Sequence, residues 1–422
     1  MSRALSIRML AGLVAGLVLG VIAHGVMGKA PGLEWFVRHV TEPVGKIFLR
    51  LLFMLVIPLI VSGLALGISG LGDIRHLGRI GLKTLLYTVV VSAIAVLIGV
   101  GLVNLLRPGD GISPAIRAQL AAQAHVAPPA APSAGATGMD FLVNLAPSNV
   151  VKAMAEGDML AVMVFALFLG LGLALTRTEP ARRLEEALAG LYDVVMRLLA
   201  LVIEAAPVAV ACLLFTLTAR LGLDVLRQLG AYVGVVLLAL AIHQFGVYSL
   251  SVSWLGGMSP IRFFRAIRTA MLTAFSTASS NATLPTALWV AEKELKLPVH
   301  VSRFVLTLGS TANQNGTALF EGVTVLFLAQ FYGIPLDFAQ QLTVVFICIL
   351  GGIGTAGVPA GSIPVVVMIL GMVGVPAEGI GMILGVDRFL DMCRTTLNVT
   401  GDLAAAVVVS RGEPQFLPAR SD

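Results

Sequence analysis

Long, uninterrupted runs of apolar residues are the feature that most restricts how this chain can fold. Six such runs lie near residues 7–27, 47–71, 81–106, 141–176, 186–218 and 228–255. About 20 helical residues cross the ~30 Å core of a bilayer, so each run is long enough to span a membrane. Hydrophobic residues make up 57% of the chain and charged residues only 12%, which excludes an ordinary soluble domain. The sequence therefore predicts an all-α polytopic membrane protein.

Basic residues indicate the direction in which these segments cross the membrane. They cluster at residues 3–8, 75–83, 177–183 and 262–268, in connections that fall on one side. Because Lys and Arg are retained on the cytoplasmic side, we expect an inner-membrane protein with both termini in the cytoplasm. The net charge of +5 is then a topology signal, and no nucleic-acid partner is expected. The Ala- and Pro-rich residues 108–138 are predicted to form an external loop.

The first apolar run has two interpretations. Residues 9–23 follow two arginines and fit the apolar core of a signal peptide that would end near residues 28–30. The run continues past signal-peptide length and a polytopic chain follows it, which favours a retained helix.

Beyond residue 259, small polar residues, glycine and proline interrupt two apolar segments. The interruptions lie at residues 277–285 and 351–362, and each precedes a long segment with polar side chains. Backbone without helical hydrogen bonds is tolerated at membrane depth only when protein buries it or water reaches it. Such a repeated pair is typical of inverted repeats, although small residues can also simply ease helix packing. We predict re-entrant hairpins near residues 259–293 and 335–374, with a binding site between them.

The last apolar segment carries a stripe of polar side chains. At about 100° per residue, five of them fall within an arc of roughly 80°: Asp387, Asp391, Arg394, Asn398 and Asp402. An ionised group at bilayer depth costs about 2.5–3.5 kcal/mol, so the stripe must face a substrate, a protein partner or water. An internal salt bridge between Asp391 and Arg394 is the alternative, but it leaves the other three unexplained.

Arg394 and Asp391 suggest a ligand that carries both charges. A guanidinium group binds a carboxylate through two parallel hydrogen bonds, and a carboxylate one turn away binds an ammonium group. This combination indicates an acidic amino acid. We expect Ser279, Ser280, Asn281 and the free amides of the first hairpin to bind its α-carboxylate.

Residues 313–317 form a third polar cluster, within an otherwise apolar segment. A helix unwound around Gly316 would direct carbonyl oxygens inward, where a monovalent cation could bind. The candidate cation site consists of Asn313, Asn315, Asn398 and Asp402. A helix kink without any ligand is the alternative.

Four motifs link the chain to a known family. They are SSNATLP (279–285), NQNGTALFEG (313–322), GIGTAGVPAGS (352–362) and DRFLDMCRTTLNVTGD (387–402). With them the chain resembles the dicarboxylate/amino acid:cation symporter family, also called the glutamate transporter family, over nearly its whole length. The resemblance implies eight transmembrane helices plus two re-entrant hairpins in a homotrimer. It also implies a trimerisation scaffold, mainly residues 1–255 with helices 3 and 6 partly outside it, an elevator-like transport domain (256–412) and a cytoplasmic tail (413–422).

The same resemblance implies roles for individual residues. Asp391 would hold the amino group of the substrate and Arg394 its side-chain carboxylate. The remaining substrate contacts would come from Ser280, Thr317, Thr395 and Asn398, with Val358 and Ser362 at the second hairpin. Asp391 resembles the family's mark for amino acids rather than plain dicarboxylates. A C4-dicarboxylate such as succinate is the alternative substrate.

Two departures from the family pattern bear on the coupling ion. Sodium-coupled members carry an aspartate where Asn315 stands, and in the third helix only Ser92 keeps its place. Glu321 is similar in position to the proton-carrying glutamate of proton-coupled relatives. A carboxyl group in apolar surroundings can load and release a proton near neutral pH, unless an internal partner neutralises it.

The sequence therefore predicts a proton-coupled glutamate or aspartate symporter. Glu321 is the expected proton carrier and Asp402 a second titrating group. Because the sites at Asn398 and Asp402 match the family, sodium-coupled aspartate symport is the alternative.

Other classes of function fit the sequence less well. A ligand-gated anion channel could use the same polar stripe. An enzyme is not expected, because the chain has neither an H-E-x-x-H nor a G-x-S-x-G motif. Its three cysteines show no metal-ligand spacing, and we expect no cofactor apart from the coupling ion, H⁺ or Na⁺.

Overall fold

A computed structural model describes residues 3–28, 30–70, 79–111, 148–156, 159–176, 178–221, 224–354 and 362–413. These residues contain helices and turns and no strand, which confirms the all-α prediction for this part of the chain. The α-helices are α1 (Arg3–Met27), α2 (Pro31–Phe36), α3 (Glu42–Gly70), α4 (Arg79–Leu106), α5 (Val150–Glu156), α6 (Met159–Leu175), α7 (Glu179–Glu204), α8 (Ala206–Leu221), α9 (Asp224–Ala241), α10 (Tyr248–Leu250), α11 (Pro260–Thr277), α12 (Ser280–Trp289), α13 (Val299–Ala312), α14 (Asn315–Tyr332), α15 (Phe338–Gly354), α16 (Ser362–Met372) and α17 (Ile380–Ser410).

Short π-helical and 3₁₀ stretches join some of these helices. The π-helical stretches are Val37–Thr41, Ile242–Val247, Ser251–Leu255 and Val290–Glu294, and the 3₁₀ turn is Ala377–Gly379. The first joins α2 to α3, the second joins α9 to α10, and the third extends α10 as far as Leu255. Single π-helical turns of this kind are frequent at functional sites.

Three stretches of the described chain are long and apolar enough to cross a membrane: 31–69, 79–106 and 227–255. A fourth results if α7 and α8 count as one span, although they bend by 54° at Ala205. Pro207 explains the bend, because it has no N–H to donate and its ring collides with the preceding turn. The apolar run near residues 186–218 is therefore not one straight helix. The total of eight transmembrane helices stays a prediction.

Helix α1 packs closely along α8 through glycines on one face. A Cβ atom at Gly12 would lie 2.2 Å from the carbonyl oxygen of Pro207, and one at Gly16 would lie 2.5 Å from that of Ala211. Both distances are shorter than any real contact, so only glycine allows this approach. Helices in lipid associate through such close backbone packing rather than through a hydrophobic driving force.

Replacing Gly16 by valine is expected to destabilise the protein by about 1–3 kcal/mol, since the added methyl groups must push α1 away from α8. Thermal unfolding of the detergent-purified protein measures the effect as a lower transition midpoint. Gly25→Val is the matched control, because Gly25 lies in the same helix with no atom within 4 Å of its Cβ position. Equal midpoints for the two variants would show that the glycine contact is unimportant.

The second half of the chain contains helices that break and resume. The first pair, α11 and α12, is separated by Ala278 and Ser279, and Ala278 has a left-handed backbone with φ of 48°. The second pair, α15 and α16, ends and resumes around residues 355–361, which lie outside the described residues. The predicted interruption of the first pair is confirmed; re-entry of either pair into a membrane stays a prediction.

Helix α17 lies at the centre of this half. It packs against α11, α12, α13 and α14, so its polar stripe is surrounded by helices rather than lipid. Helix α14 in turn lies along α4, and α15 and α16 contact both α14 and α3. This arrangement brings the first broken pair against α17, while the second pair packs against α14 and α3. The division into scaffold (1–255) and transport domain (256–412) stays a prediction.

The end of α17 is tied to the beginning of α4. Glu413 accepts from Arg79 at 2.8 Å and from Lys83 at 3.1 Å. Hydrogen bonds from Lys83 and Arg79 lower the pKa of the Glu413 carboxyl below its usual value. Arg411 donates to the carbonyl of Trp254 at 2.9 Å. These contacts place the end of α17 beside one of the basic clusters used to predict topology; residues 414–422 of the predicted tail lie outside the described residues.

Candidate functional site

The predicted polar stripe on α17 is a single buried face. Asp387, Asp391, Arg394, Asn398 and Asp402 are all at most 5% exposed. Their spacing along one helix produces this face, and the neighbouring helices cover it. The expectation that the stripe does not face lipid is therefore confirmed.

Arg394 is held between two carboxylates. Its Nε donates to Oδ1 of Asp391 at 3.0 Å and its Nη1 donates to Oδ1 of Asp387 at 2.9 Å. The guanidinium carbon also lies 4.1 Å from the centre of the Phe320 ring, a cation–π distance. Arg388 approaches the second oxygen of Asp391 at 3.7 Å, so two arginines and two aspartates balance each other. The internal salt bridge considered as an alternative is present, and it includes Asp387 as well.

This cluster can exchange partners with an amphoteric ligand. Asp391 contacts both arginines, and a ligand ammonium group bound to it would compete for its oxygens. Arg394 would then have donors available for a ligand carboxylate, while Asp387 still neutralises and orients it. A buried ion pair costs several kcal/mol of desolvation per ion, so exchange is feasible only when both ligand charges arrive together.

Asn398 connects α17 to the break between α13 and α14. Its Oδ1 accepts from the backbone amide of Gly316 at 2.7 Å, and its Nδ2 donates to Oε1 of Gln314 at 2.6 Å and to Oγ1 of Thr317 at 3.2 Å. The predicted interruption of this segment is present, but it lies at Asn313 and Gln314, two residues before Gly316.

Gly316 lies instead in the first turn of α14. Close packing requires glycine at this position, because a Cβ there would lie 2.6 Å from the carbonyl oxygen of Arg394. A glycine within a polar cluster signals either a break or a close approach of two backbones. At Gly316 the cause is the close approach of α14 to the backbone of α17.

In the candidate cation site, side-chain hydrogen bonds already use most of the polar atoms. Asn313 Nδ2 donates to Oδ1 of Asp402 at 2.9 Å. Asn315 accepts from Ser92 Oγ at 2.5 Å and donates to the hydroxyl of Tyr248 at 3.0 Å. The side-chain oxygen of Asn315 is therefore already bonded to Ser92 and carries no full negative charge for a cation, while the buried Oδ1 of Asn313 has no hydrogen-bond partner among the described residues. The described residues contain no cluster of three His, Cys, Asp or Glu side chains suited to a metal ion.

The hairpin residues predicted to bind substrate have different surroundings. Ser279 caps α12, with its Oγ accepting from the amide of Ala282 at 3.2 Å. The hydroxyls of Ser280 and Ser362 are buried with no hydrogen-bond partner among the described residues. Such hydroxyls are rare in proteins and are expected where a ligand or water binds.

The other residues predicted to contact the substrate differ in their exposure. Thr317 and Thr395 are buried beside the stripe, and Thr317 is bonded to Asn398. Asn281 is exposed on the outer face of α12. Val358 lies outside the described residues.

Glu321 differs from the other buried acids. It is fully buried in α14, and neither carboxyl oxygen has a hydrogen-bond partner among the described residues. Asp387, Asp391 and Asp402 each accept at least one hydrogen bond. A Cβ at Gly351 would lie 3.0 Å from Glu321 Oε2, so this carboxyl group lies directly against α15. No internal hydrogen-bond partner of the kind considered as an alternative is found in the described part of the chain.

Sequence reasoning missed two residues of the site. Phe320 lies one helical turn beyond Thr317, and this i,i+3 spacing could have placed it on the same face. Tyr248 lies 67 residues before Asn315, to which it is bonded, and no local pattern connects the two.

Comparison with known proteins shows the family of the chain. The sequence profile described as the sodium:dicarboxylate symporter family matches residues 5–412. The chain is 34% identical to the proton/sodium-glutamate symport protein of Bacillus subtilis (strain 168), covering 99% of this chain and 95% of that protein. It is 33% identical to the proton/glutamate-aspartate symporter of Escherichia coli (strain K12), covering 96% and 92%. It is also 30% identical to excitatory amino acid transporter 2 of Homo sapiens, covering 94% and 77%. The chain is a membrane protein and belongs to the sodium:dicarboxylate symporter family.

Proposed function

We propose that this protein is a secondary active symporter that takes up glutamate or aspartate together with protons. The observation that carries the proposal is the buried cluster of Arg394, Asp387 and Asp391 on α17, a helix that packs against the first broken pair. A buried cluster that contains both a guanidinium group and carboxylates suits a ligand with two carboxylates and one ammonium group. The relatives named as proton/glutamate-aspartate symporters support the same substrate class and ion.

In this proposal the substrate occupies the space between the polar face of α17 and the two broken helix pairs. Asp391 binds its ammonium group and Arg394 its side-chain carboxylate. The unpartnered hydroxyls of Ser280 and Ser362 and the side chain of Thr395 bind the remaining polar atoms. Succinate would lack the ammonium group, so Asp391 would repel it.

Glu321 is the proposed proton carrier. It has no hydrogen-bond partner among the described residues and lies against α15, so a proton on Glu321 would change the contact with the second broken pair. Asp402, bonded to Asn313, is the proposed second titrating group. The motion would be an elevator-like movement of residues 256–412 within a homotrimer in the inner membrane, with both termini cytoplasmic.

Uptake by proteoliposomes tests the function. With an inward proton gradient and no sodium, radiolabelled aspartate should accumulate above its external concentration, and a protonophore should abolish the accumulation. Excess unlabelled glutamate should compete and excess succinate should not. Accumulation that requires sodium and ignores pH would refute proton coupling. Equilibration without accumulation under either gradient would indicate a channel.

Replacing Asn315 by aspartate is expected to make substrate binding depend on sodium. The new carboxylate would be buried beside Ser92 and Tyr248, and a bound cation would offset its charge. Calorimetry with sodium or choline salts should show sodium strengthening aspartate binding at least tenfold in the variant and little in the wild type. Removing the neighbouring hydroxyl in Asn315→Asp/Ser92→Ala should weaken the sodium effect. A wild type that already requires sodium would contradict this interpretation of Asn315.

A further inference from the structure

The described chain has a polar cavity away from the α17 site. It lies where α4 and α14 end and α15 begins, at the opposite end of α4 from the Glu413–Arg79 pair. Its volume is about 220 Å³. One water molecule needs only ~10–15 Å³ by the same measure, so the cavity can hold a small organic group.

A charge pair forms one wall of the cavity. Arg107 Nε donates to Oδ2 of Asp110 at 2.5 Å, and the Arg107 side chain is 61% exposed. This bond uses one of the five N–H donors of the guanidinium group. The cavity therefore presents a positive and a negative group side by side, within reach of a ligand.

The turn that carries the pair is fixed against α14. Gly109 approaches α14 so closely that a Cβ would lie 2.6 Å from the carbonyl oxygen of Phe327. Gln330 clamps the turn from both sides: its Oε1 accepts from the Gly109 amide at 3.3 Å and its Nε2 donates to the carbonyl of Val103 at 3.0 Å. Arg107 itself has a left-handed backbone with φ of 45°, a conformation that persists only where surrounding contacts impose it.

We propose that this cavity binds a zwitterion, a ligand in which an ammonium group and an acidic group lie close together. Arg107 and Asp110 neutralise each other, so the cavity offers no net opposite charge to a simple anion or to a metal cation. A zwitterion matches both, with its acidic group at the guanidinium and its ammonium at the carboxylate. Leu326, Ala329 and Ile334 form an apolar floor, against which a short carbon chain packs.

Two sources share this chemistry: a free amino acid and the headgroup of an ethanolamine phospholipid. Leu105 and Leu106, next to Arg107, are exposed apolar side chains of α4, a surface that suits the acyl chains of a lipid. Asn104 donates to Gln341 at 2.7 Å across the cavity, so its walls belong to both α4 and the first helix of the second broken pair. A ligand there would hold these two helices together.

Binding is tested by calorimetry on the detergent-purified protein, with aspartate present to occupy the α17 site. The probes are glycine and dihexanoyl phosphatidylethanolamine as zwitterions, and acetate and ethylammonium as single charges. We expect saturable binding of a zwitterion and at least tenfold weaker binding of the single charges. Binding of glycine identifies a free amino acid as the ligand class, and binding of the short-chain lipid alone identifies a headgroup.

Variants separate this cavity from other sites. Arg107→Gln and Asp110→Asn should each raise the dissociation constant at least tenfold, and the charge exchange Arg107→Asp/Asp110→Arg should restore binding. The control is Arg303→Gln, because Arg303 is an equally exposed arginine paired with Glu292 elsewhere. Acetate binding as tight as zwitterion binding, no zwitterion binding, or binding unchanged by Arg107→Gln and Asp110→Asn would overturn the proposal.

Discussion

Arg394→Gln is expected to abolish high-affinity binding of aspartate and glutamate. Losing one partner of a buried, hydrogen-bonded charge pair costs about 2–5 kcal/mol, which corresponds to an affinity loss of roughly 30- to 4,000-fold. Calorimetric titration of the purified variant with aspartate measures the loss directly. Because Asp391 still offers a carboxylate to an ammonium group, a neutral amino acid such as serine should bind the variant better than aspartate does.

The substitution also leaves Asp387 without its guanidinium partner, which destabilises the fold by itself. Arg394→Gln/Asp387→Asn removes one charge of each sign and should recover thermal stability but not aspartate binding. Arg303→Gln removes an exposed arginine and should change neither. If the double variant regained aspartate affinity, the role of Arg394 would be structural and the proposed substrate contact would be wrong.

Glu321→Gln is expected to eliminate accumulation driven by a pH gradient while preserving exchange of substrate across the membrane. Each co-transported proton adds 1.36 kcal/mol of driving force per pH unit, which is a tenfold concentration ratio. The variant should lose this factor entirely because glutamine cannot carry a proton. Glutamine has nearly the same shape, and the described structure shows no hydrogen bond to the Glu321 carboxyl that the change would break.

Two assays on the same proteoliposomes distinguish loss of coupling from loss of folding. Net uptake under a pH gradient should fall to equilibration, and counterflow exchange of labelled for unlabelled aspartate should continue near the wild-type rate. Glu413→Gln, which removes an acid at the surface end of α4 and α17, serves as the control and should retain accumulation. Tenfold accumulation per pH unit in Glu321→Gln would assign the proton to another group, with Asp402 the next to test.

Several features of the site were predictable because they are local. The stripe on α17 follows from helical spacing and the cost of charge in lipid, and the interruption at Ala278–Ser279 follows from small polar residues in an apolar run. The helix break was predicted at Gly316, two residues from its actual position, for a physical reason. A glycine both weakens a helix and permits close backbone contact, and sequence alone does not separate the two effects.

The sequence by itself determined that the chain is helical, enters a membrane and buries opposite charges on its last helix, because these properties depend on residue type and period alone. Only the tertiary structure decided how those charges are neutralised. Asp387 and Asp391 share Arg394, Asn315 is bonded to Ser92 and Tyr248, and Glu321 has no hydrogen bond among the described residues. These pairings join residues from distant parts of the chain, so they depend on which helices pack together and at what distance.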